Sequence, residues 1–316
     1  MIFFNTIESI LSIVLIIITG YIFTNKGWFD EKTGKVFSRI ITNIALPAYM
    51  IWNLMSTFSK ELLLDLGPGL IVPFTSMLVC MIVGYAVSKI LHIAPNHQGT
   101  FRSMFSLSNS VFIGLPVNLA LFGERSMPFV LLYYIANTTL FWTVGVNGIS
   151  NDGMSGQGKI PVKEVLRKIF SPPLLGFIIA IVLIMLGFSL PHFILDTCKY
   201  LGNLTTPLSM LFIGIAIYGV KLKNIKLSKD MIAIILGRFI VAPLIVIGVT
   251  YVIPLPILMK KVFIIQAALP VMTLTAVVAK SYQADAEYAA VITAVTTIAS
   301  IITIPFYMLI FQYYFQ

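Results

Sequence analysis

Long apolar stretches separated by short polar ones fill this chain. A bilayer core needs about 20 mostly apolar residues per helix, and ten such runs lie between charges or Gly/Pro breaks. They span residues 7–24, 36–57, 66–90, 101–122, 127–149, 171–190, 199–220, 230–253, 262–280 and 286–314. The pattern predicts an all-α integral membrane protein with ten transmembrane helices.

The composition agrees with this interpretation. Of the 316 residues, 58% are hydrophobic and 10% are charged, whereas soluble domains have about 25% charged residues. The widest polar segment is residues 151–169, which is too short to fold alone, so we expect one membrane domain. The first residues lack a basic segment and a cleavage site, and we expect them to be the retained start of the first helix.

Several kinds of chemistry are disfavoured by the polar residues. The two cysteines and three histidines have no metal-ligand spacing, and the twelve acidic residues fall in loops or at the ends of the predicted helices. A membrane enzyme would need a nucleophile–base pair or metal ligands in its core. We therefore expect no catalytic residues, no metal and no cofactor.

The basic residues predict an orientation. Of the 21 lysines and arginines, fifteen follow predicted helices 1, 3, 5, 7 and 9, and five follow the even-numbered helices. Arg238 lies inside a predicted helix. The positive-inside rule then places both termini outside the cytoplasmic membrane. It also explains the net charge of +9 without nucleic acid as a partner, and leaves membrane lipid as the expected surroundings.

The chain can be divided into two five-helix halves, residues 1–150 and 170–316, joined by a cytoplasmic linker at 151–169. Predicted helices 2 and 7 each carry an asparagine four residues before a proline; these pairs are Asn43 with Pro47 and Asn203 with Pro207. Predicted helices 4 and 9 each carry Leu-Pro after a carboxamide; these pairs are Asn109 with Pro116 and Gln266 with Pro270. An odd number of helices per half inverts the second copy, and inverted repeats with interrupted helices indicate a secondary transporter.

Breaks in predicted helices 4 and 9 would create a polar site. Proline removes a backbone donor and clashes with the preceding turn, and the freed groups are tolerated only inside protein or beside a polar cavity. If the two breaks cross at midplane, their positive half-helix N-termini can hold an anion. Neutral side chains near the breaks could add donors; these are Asn109, Asn118, Gln266, Thr273 and Thr275.

At these segments the chain resembles the auxin efflux carrier family. "SNSVFIGLP" in helix 4, "GRFIVAP" in helix 8 and "QAALPVMTLTAVVAKSYQAD" in helix 9 are similar to the family's motifs, and "FWT" and "TAV…IP" fall in register. The resemblance covers all ten predicted helices. The chain lacks the long central loop of the plant carriers and looks like a compact, prokaryotic-type member.

The resemblance implies a function and an architecture. Compact members are described as permeases for malate, malonate and related organic acids. Helices 1, 2, 6 and 7 would form a scaffold that dimerises, and helices 3–5 and 8–10 a transport domain that moves as an elevator. The substrate carboxylate would lie at the crossover beside Asn109, with Asn137 also lining the site.

Two questions stay open on the residues alone. Arg238 could pair with a substrate carboxylate, snorkel to the cytoplasmic side, or bind carbonyls of a neighbouring helix. Without a core carboxylate, uniport, proton movement on the substrate or a sodium site of neutral oxygens all remain. The alternatives to an organic-acid permease are a sodium-coupled symporter resembling bile-acid carriers, an auxin or indole-acid carrier, and a channel; the clustered polar groups disfavour the channel.

Overall fold

A computed structural model describes residues 2–60, 67–153, 162–219 and 227–314. Over these ranges the chain is helical and forms no β-strand, which confirms the all-α class. A single isolated antiparallel bridge pairs Ser108 with Val271. Residues 154–161, in the middle of the expected linker, lie outside the described ranges.

The chain divides into two compact units, each described by itself. Unit 1 contains Met1–Pro68, Leu115–Pro128 and Arg167–Gly219. Its helices are α1 (Ile2–Asn25), α2 (Glu31–Ile40), α3 (Leu46–Thr57), most of α6 (Gly114–Phe122), α10 (Pro172–Met185), α11 (His192–Gly202) and α12 (Thr205–Tyr218).

Glycines let the helices of unit 1 approach closely. A Cβ added at Gly20 of α1 would lie 2.5 Å from the carbonyl oxygen of Leu211 on α12, and one at Gly176 of α10 would lie 2.7 Å from the carbonyl of Pro47. Both distances are too short for any side chain. Small residues at helix crossings are typical of membrane proteins, where van der Waals packing between backbones supplies much of the association.

Unit 2 contains Gly69–Gly114, Phe129–Leu166 and Val220–Gln316. Its helices are α4 (Ile71–Ile90), α5 (Gln98–Ser106), most of α7 (Met127–Leu140), α8 (Val146–Asp152), most of α9 (Val162–Ile169), α13 (Lys229–Leu236), α14 (Ala242–Val252), α15 (Ile257–Ala267), α16 (Leu274–Ser281) and α17 (Ala286–Tyr314). Aromatic side chains form much of its buried interior, among them Phe101, Phe105, Tyr133, Phe141 and Phe263.

The amino end of α5 is fixed by α8. The Asp152 carboxylate accepts hydrogen bonds from the backbone N–H groups of Gly99 at 2.8 Å and Thr100 at 2.6 Å. These are amides that an α-helix leaves without internal partners, and a negative charge is favourable at the positive end of the helix. Gly99 also meets the main chain of Gly148 on α8 with no room for a Cβ. The end of α5 remote from its break is therefore held rigidly.

One-turn π segments interrupt three otherwise continuous helices. They are Ile41–Ala45 between α2 and α3, Phe141–Gly145 between α7 and α8, and Gly237–Val241 between α13 and α14. In the last case Pro243 cannot donate to the Phe239 carbonyl four residues before it, and the Tyr307 hydroxyl donates to that carbonyl instead at 2.5 Å. The π segment is thus stabilised by a side chain distant in sequence.

Five described helical stretches are long and apolar enough to cross a membrane, judged by length and composition. They are Ile71–Ile90, Glu124–Asp152, His192–Tyr218, Lys229–Val252 and Ala286–Phe311. Leu11–Asn25 and Pro172–Met185 are shorter apolar helices. Predicted helices 2, 4 and 9 are absent from both sets. Helices 4 and 9 are interrupted, and the count of ten stays a prediction.

Candidate functional site

The first unwound segment follows α5. Leu107 has extended backbone angles, φ −111° and ψ 140°, and helical structure resumes with α6 at Gly114. The Gly114 N–H donates to the Asn109 carbonyl at 3.0 Å and closes the segment. Pro116 is the third residue of α6, inside its first turn, where a missing N–H costs nothing. The chain therefore unwinds at Leu107, nine residues before the proline that drew attention to this helix.

The second unwound segment follows α15. Helical structure stops at Ala267 and resumes with α16 at Leu274, so Pro270 lies within the break. The two segments run antiparallel: Ser108 and Val271 form the isolated bridge, and the Asn109 N–H donates to the Pro270 carbonyl at 3.0 Å. Main-chain groups released by one break are thus partly satisfied by the other, which is what burial of irregular backbone requires.

Asn137, on α7, binds the first unwound segment as a neighbouring strand would. Its Nδ2 donates to the Ser108 carbonyl at 2.9 Å and its Oδ1 accepts the Ser108 N–H at 3.0 Å. Nδ2 also lies 3.3 Å from the Ser110 hydroxyl. The residue is fully buried. Its carboxamide therefore holds the backbone of the break in place.

Asn109 and Thr273 join the two segments through their side chains. Asn109 Nδ2 donates to Thr273 Oγ1 at 2.8 Å, and Asn109 is buried while Thr273 is half-buried. Thr273 immediately precedes α16. Its hydroxyl keeps its own hydrogen for a further acceptor. These residues supply polar groups at the positive end of a helix.

Gln266 carries a buried oxygen without a described partner. Its Nε2 donates to the Ser110 carbonyl at 3.4 Å, while Oε1 has no hydrogen bond. A Cβ at Gly114 would lie 2.5 Å from this Oε1 and 2.6 Å from a Leu269 methyl, so an alanine there would have to displace both side chains. A buried polar atom left unsatisfied costs about 1–3 kcal/mol. The Ser103 hydroxyl in unit 2 is also buried without a described partner, whereas the Ser106 and Ser108 hydroxyls lie beside Cys80 and Tyr133.

Arg238 lies in the third π segment and is fully buried. Nη2 donates to the Ala267 carbonyl at 2.6 Å, Nε to the Leu269 carbonyl at 3.1 Å, and Nη1 to the Phe105 carbonyl at 3.5 Å. Of the three roles open from the sequence, these are the contacts of an arginine that binds neighbouring carbonyls. They also connect it to both breaks.

The other residues predicted to bind the substrate lie on α16 and α6. Thr275 is buried in the first turn of α16. Pro116 and Asn118 are buried on α6, in the part that belongs to unit 1, where the Asn118 carbonyl accepts from the Ser126 hydroxyl at 3.3 Å.

The asparagine–proline pairs of predicted helices 2 and 7 lie in unit 1. Asn43 is exposed within the first π segment, and Pro47 is the second residue of α3. Asn203 is exposed after α11, and Pro207 is in the first turn of α12. Pro207 therefore occupies a helix start, whereas Pro47 follows the π segment within a continuous helical stretch.

Comparison with known proteins decides the family. The sequence model of the membrane transport protein family matches residues 5–308, almost the whole chain. This chain belongs to the auxin efflux carrier family of membrane transport proteins.

Two archaeal relatives of this auxin efflux carrier family member have comparable length. An uncharacterized transporter of Methanothermobacter thermautotrophicus is 24% identical over 322 residues, which cover 98% of this chain and 100% of the relative. One from Methanocaldococcus jannaschii is 27% identical over 304 residues, covering 94% and 96%. The family match confirms the resemblance carried by the three helix motifs, and the chain is a membrane-embedded, multi-pass transporter.

Sequence reasoning missed several residues that build the site. Ser108 and Ser110 supply the main chain that binds Asn137 and Gln266, and the Thr296 hydroxyl accepts the Val271 N–H at 3.2 Å. Serines flanking Asn109 in "SLSNS" were the available signal. The sequence around Thr296 and Tyr307 gave no such signal, because their hydrogen-bond partners lie 25 and 68 residues away.

Proposed function

We propose that this protein is a secondary transporter that moves a small organic anion, a carboxylate resembling malate or malonate, across the cytoplasmic membrane by alternating access. The observation that carries the proposal is the antiparallel pairing of two unwound segments in unit 2, lined by buried carboxamides and hydroxyls. Broken helices with polar groups at the break are the binding sites of inverted-repeat transporters.

The chemistry around the pairing favours an anion. The amide end of α16, with its partial positive charge, follows Thr273 directly. Asn109 Nδ2 and the Thr273 hydroxyl are neutral donors, and Arg238 adds a full positive charge to the same cluster. The side-chain hydrogen bonds and ion pairs in the described ranges place no carboxylate on any of these residues. A carboxylate substrate would therefore meet donors and a positive charge for which no carboxylate of the described residues competes.

The proposal includes an elevator mechanism and an inverted repeat of ten helices with both termini outside. Unit 1 collects α1–α3 and α10–α12, which correspond to predicted helices 1, 2, 6 and 7 of the scaffold. Unit 2 collects the two breaks with the helices that the resemblance assigns to the transport domain, although most of α6 belongs to unit 1. The division by contacts thus supports a scaffold, proposed to dimerise, and a separate transport domain.

Ligand-dependent thermal stabilisation tests the proposal. The protein purified in detergent is heated with mono- and dicarboxylates, including an indole acid, in sodium chloride and in choline chloride at equal ionic strength. A ligand that binds only the folded state raises Tm increasingly as its concentration exceeds its Kd. A rise with a small dicarboxylate supports the proposal, a rise with the indole acid alone favours an auxin-type carrier, and no response to any carboxylate contradicts both.

Asn109→Ala locates the site. Removal of this side chain should abolish the ligand-induced rise in Tm while the ligand-free Tm falls little, because only the bond to Thr273 is lost. Ser12→Ala, which removes a side-chain bond to a backbone carbonyl on exposed α1, is the control. An unchanged ligand affinity in Asn109→Ala would remove the crossover from the proposal.

A second candidate is sodium-coupled symport of the organic anion. Sodium prefers oxygen ligands, and the buried side-chain oxygens of Gln266 and Ser103, which have no described partner, favour it. In the same assay, a carboxylate response that requires sodium and disappears in choline identifies this mechanism.

A further inference from the structure

The charge on Arg238 is balanced by carbonyl groups. It is fully buried and is hydrogen bonded to the carbonyls of Phe105, Ala267 and Leu269 and to the Tyr133 side chain. The ion pairs of the described residues do not include it. The titratable side chains beside it are Tyr133 and Cys80, which are uncharged at neutral pH in their ordinary state. No described carboxylate therefore neutralises it.

The three carbonyls belong to the two helix ends where the chain unwinds. Phe105 lies in the last turn of α5, Ala267 is the last residue of α15, and Leu269 lies in the second unwound segment. Each helix C-terminus carries a partial charge of about −0.5. Two such ends together amount to about one negative charge, which matches one guanidinium.

Carbonyls of this kind have a known use in transporters with broken helices. Unwound backbone carbonyls and half-helix C-terminal ends coordinate the coupling cation, while the half-helix N-termini receive the anionic substrate. In this protein the carbonyls at both C-terminal ends already bind a cation that is part of the chain. A sodium ion brought to the same carbonyls would meet occupied acceptors and a fixed positive charge.

We propose that the Arg238 guanidinium is a tethered cation, which takes the place of a coupling sodium ion at the two unwound segments and fixes their selectivity for anions. Arg238 acts as a positioning and specificity residue: it holds both C-terminal ends and leaves the amide end of α16 and the neutral donors for the anion. The inference rests on the proposed anion transport, and it predicts that substrate binding needs no sodium.

The residues around Arg238 hold its backbone and side chain in place. Gly237 packs against the Phe105 ring with no space for a Cβ. The π segment that carries Arg238 is held by the hydrogen bond from Tyr307. An arginine that merely snorkelled toward water would need neither the full burial nor three convergent carbonyls.

The test compares Arg238→Gln, which removes the charge, with Arg238→Lys, which keeps the charge but cannot span three carbonyls. Arg102→Gln is the matched control: Arg102 is also hydrogen bonded in unit 2, through Nε to Ser88 Oγ at 2.9 Å and Nη2 to Gln98 Oε1 at 2.7 Å. Malate and malonate are titrated in sodium or choline chloride, with Tm as the readout.

The wild type and Arg102→Gln should bind the carboxylate equally in both salts. Arg238→Gln should weaken its apparent Kd by about tenfold or more, since the loss of one nearby charge costs at least that much in a low-dielectric site. It should also gain a rise in Tm with sodium relative to choline. Arg238→Lys should fall between, with weakened carboxylate binding and no sodium requirement.

Specific outcomes overturn the proposal. The proposal is wrong if carboxylate binding by the wild type requires sodium. It is also wrong if Arg238→Gln keeps the wild-type affinity for the carboxylate, or if sodium has no effect on the Tm of that variant. If Arg238→Gln does not fold, Arg238→Lys with wild-type affinity overturns it instead. If no carboxylate raises the Tm of the wild type, the proposed function is wrong. The effect of sodium on the Tm of Arg238→Gln still tests the tethered cation separately.

Discussion

Asn137→Ala should destabilise the protein more than a typical loss of a polar side chain in a membrane. The substitution removes both hydrogen bonds to the Ser108 main chain, at 2.9 and 3.0 Å. Side-chain hydrogen bonds in membrane proteins contribute about 0.6 kcal/mol on average, because the reference state also finds partners. Ser108 lies between helices, however. Its carbonyl also accepts from the Ser110 N–H at 2.9 Å, whereas its N–H has Asn137 as its described acceptor.

The larger estimate for unsatisfied buried groups therefore applies. One main-chain N–H left without a partner costs about 1–3 kcal/mol. At about 2 °C per kcal/mol for a chain of this size, Tm should fall by at least about 2 °C. Binding of the carboxylate should weaken as well, because Ser108 precedes Asn109 in the same unwound segment.

Thermal unfolding of the purified protein in detergent measures this effect, with Asn147→Ala as the control. Asn147 also belongs to the helical stretch Glu124–Asp152, and its Nδ2 donates to the Thr143 carbonyl at 2.6 Å. Asn147 binds a helical segment rather than an unwound one. Its loss should lower the free energy of unfolding by about 0.6 kcal/mol and Tm by roughly 1 °C. Equal shifts for the two variants would refute the claim that Asn137 supports the unwound backbone.

Further substitutions test neighbouring parts of the structure. Gly114→Ala places a Cβ 2.5 Å from Gln266 Oε1, so overpacking should cost about 1–3 kcal/mol; a wild-type Tm would contradict that crowding, and Gly248→Ala, which meets nothing within 4 Å, is the control. Tyr307→Phe should lower stability by about 1 kcal/mol by freeing one carbonyl of the third π segment, which hydrogen exchange across that segment would detect as faster exchange. Asp30, whose pKa is lowered mainly by a hydrogen bond from the Thr33 N–H, caps α2; this cap is fully present above the ordinary carboxyl pKa and is lost as pH falls through the lowered one. Asp30→Asn should therefore match wild-type stability at the acid end of a series of thermal unfolding measurements and be less stable than the wild type at neutral pH.

Apolar length and helix-breaking residues allowed much of the fold to be predicted from the sequence. The segments around Pro116 and Pro270 do interrupt helices, and Asn109 does lie in the first break. The location of the unwinding was less accessible, because Pro116 fits the start of a helix as well as it ends one. Sequence alone identifies the incompatible residue, whereas hydrogen bonds from other helices decide where the backbone opens.

The roles of individual polar residues were harder to predict. Asn137 was expected to line the site, and in the structure its carboxamide is bound to main-chain atoms of Ser108, 29 residues earlier in the chain. Arg238 had three open roles, and only the positions of carbonyls more than 28 residues away distinguish them. Such contacts depend on tertiary packing, which local spacing does not encode.

The π segments change how accessibility along these helices should be read. An α-helix advances by 100° per residue, and a one-turn π segment accommodates one residue more than an α-helical turn. Residues of α14 are therefore rotated by about 100° from the face that counting forward from α13 at 3.6 residues per turn would give. A cysteine-labelling scan through Gly237–Val241 should show its water-accessible stripe jump by one residue there, and a helical wheel drawn across the segment would assign the labelled positions to the wrong side.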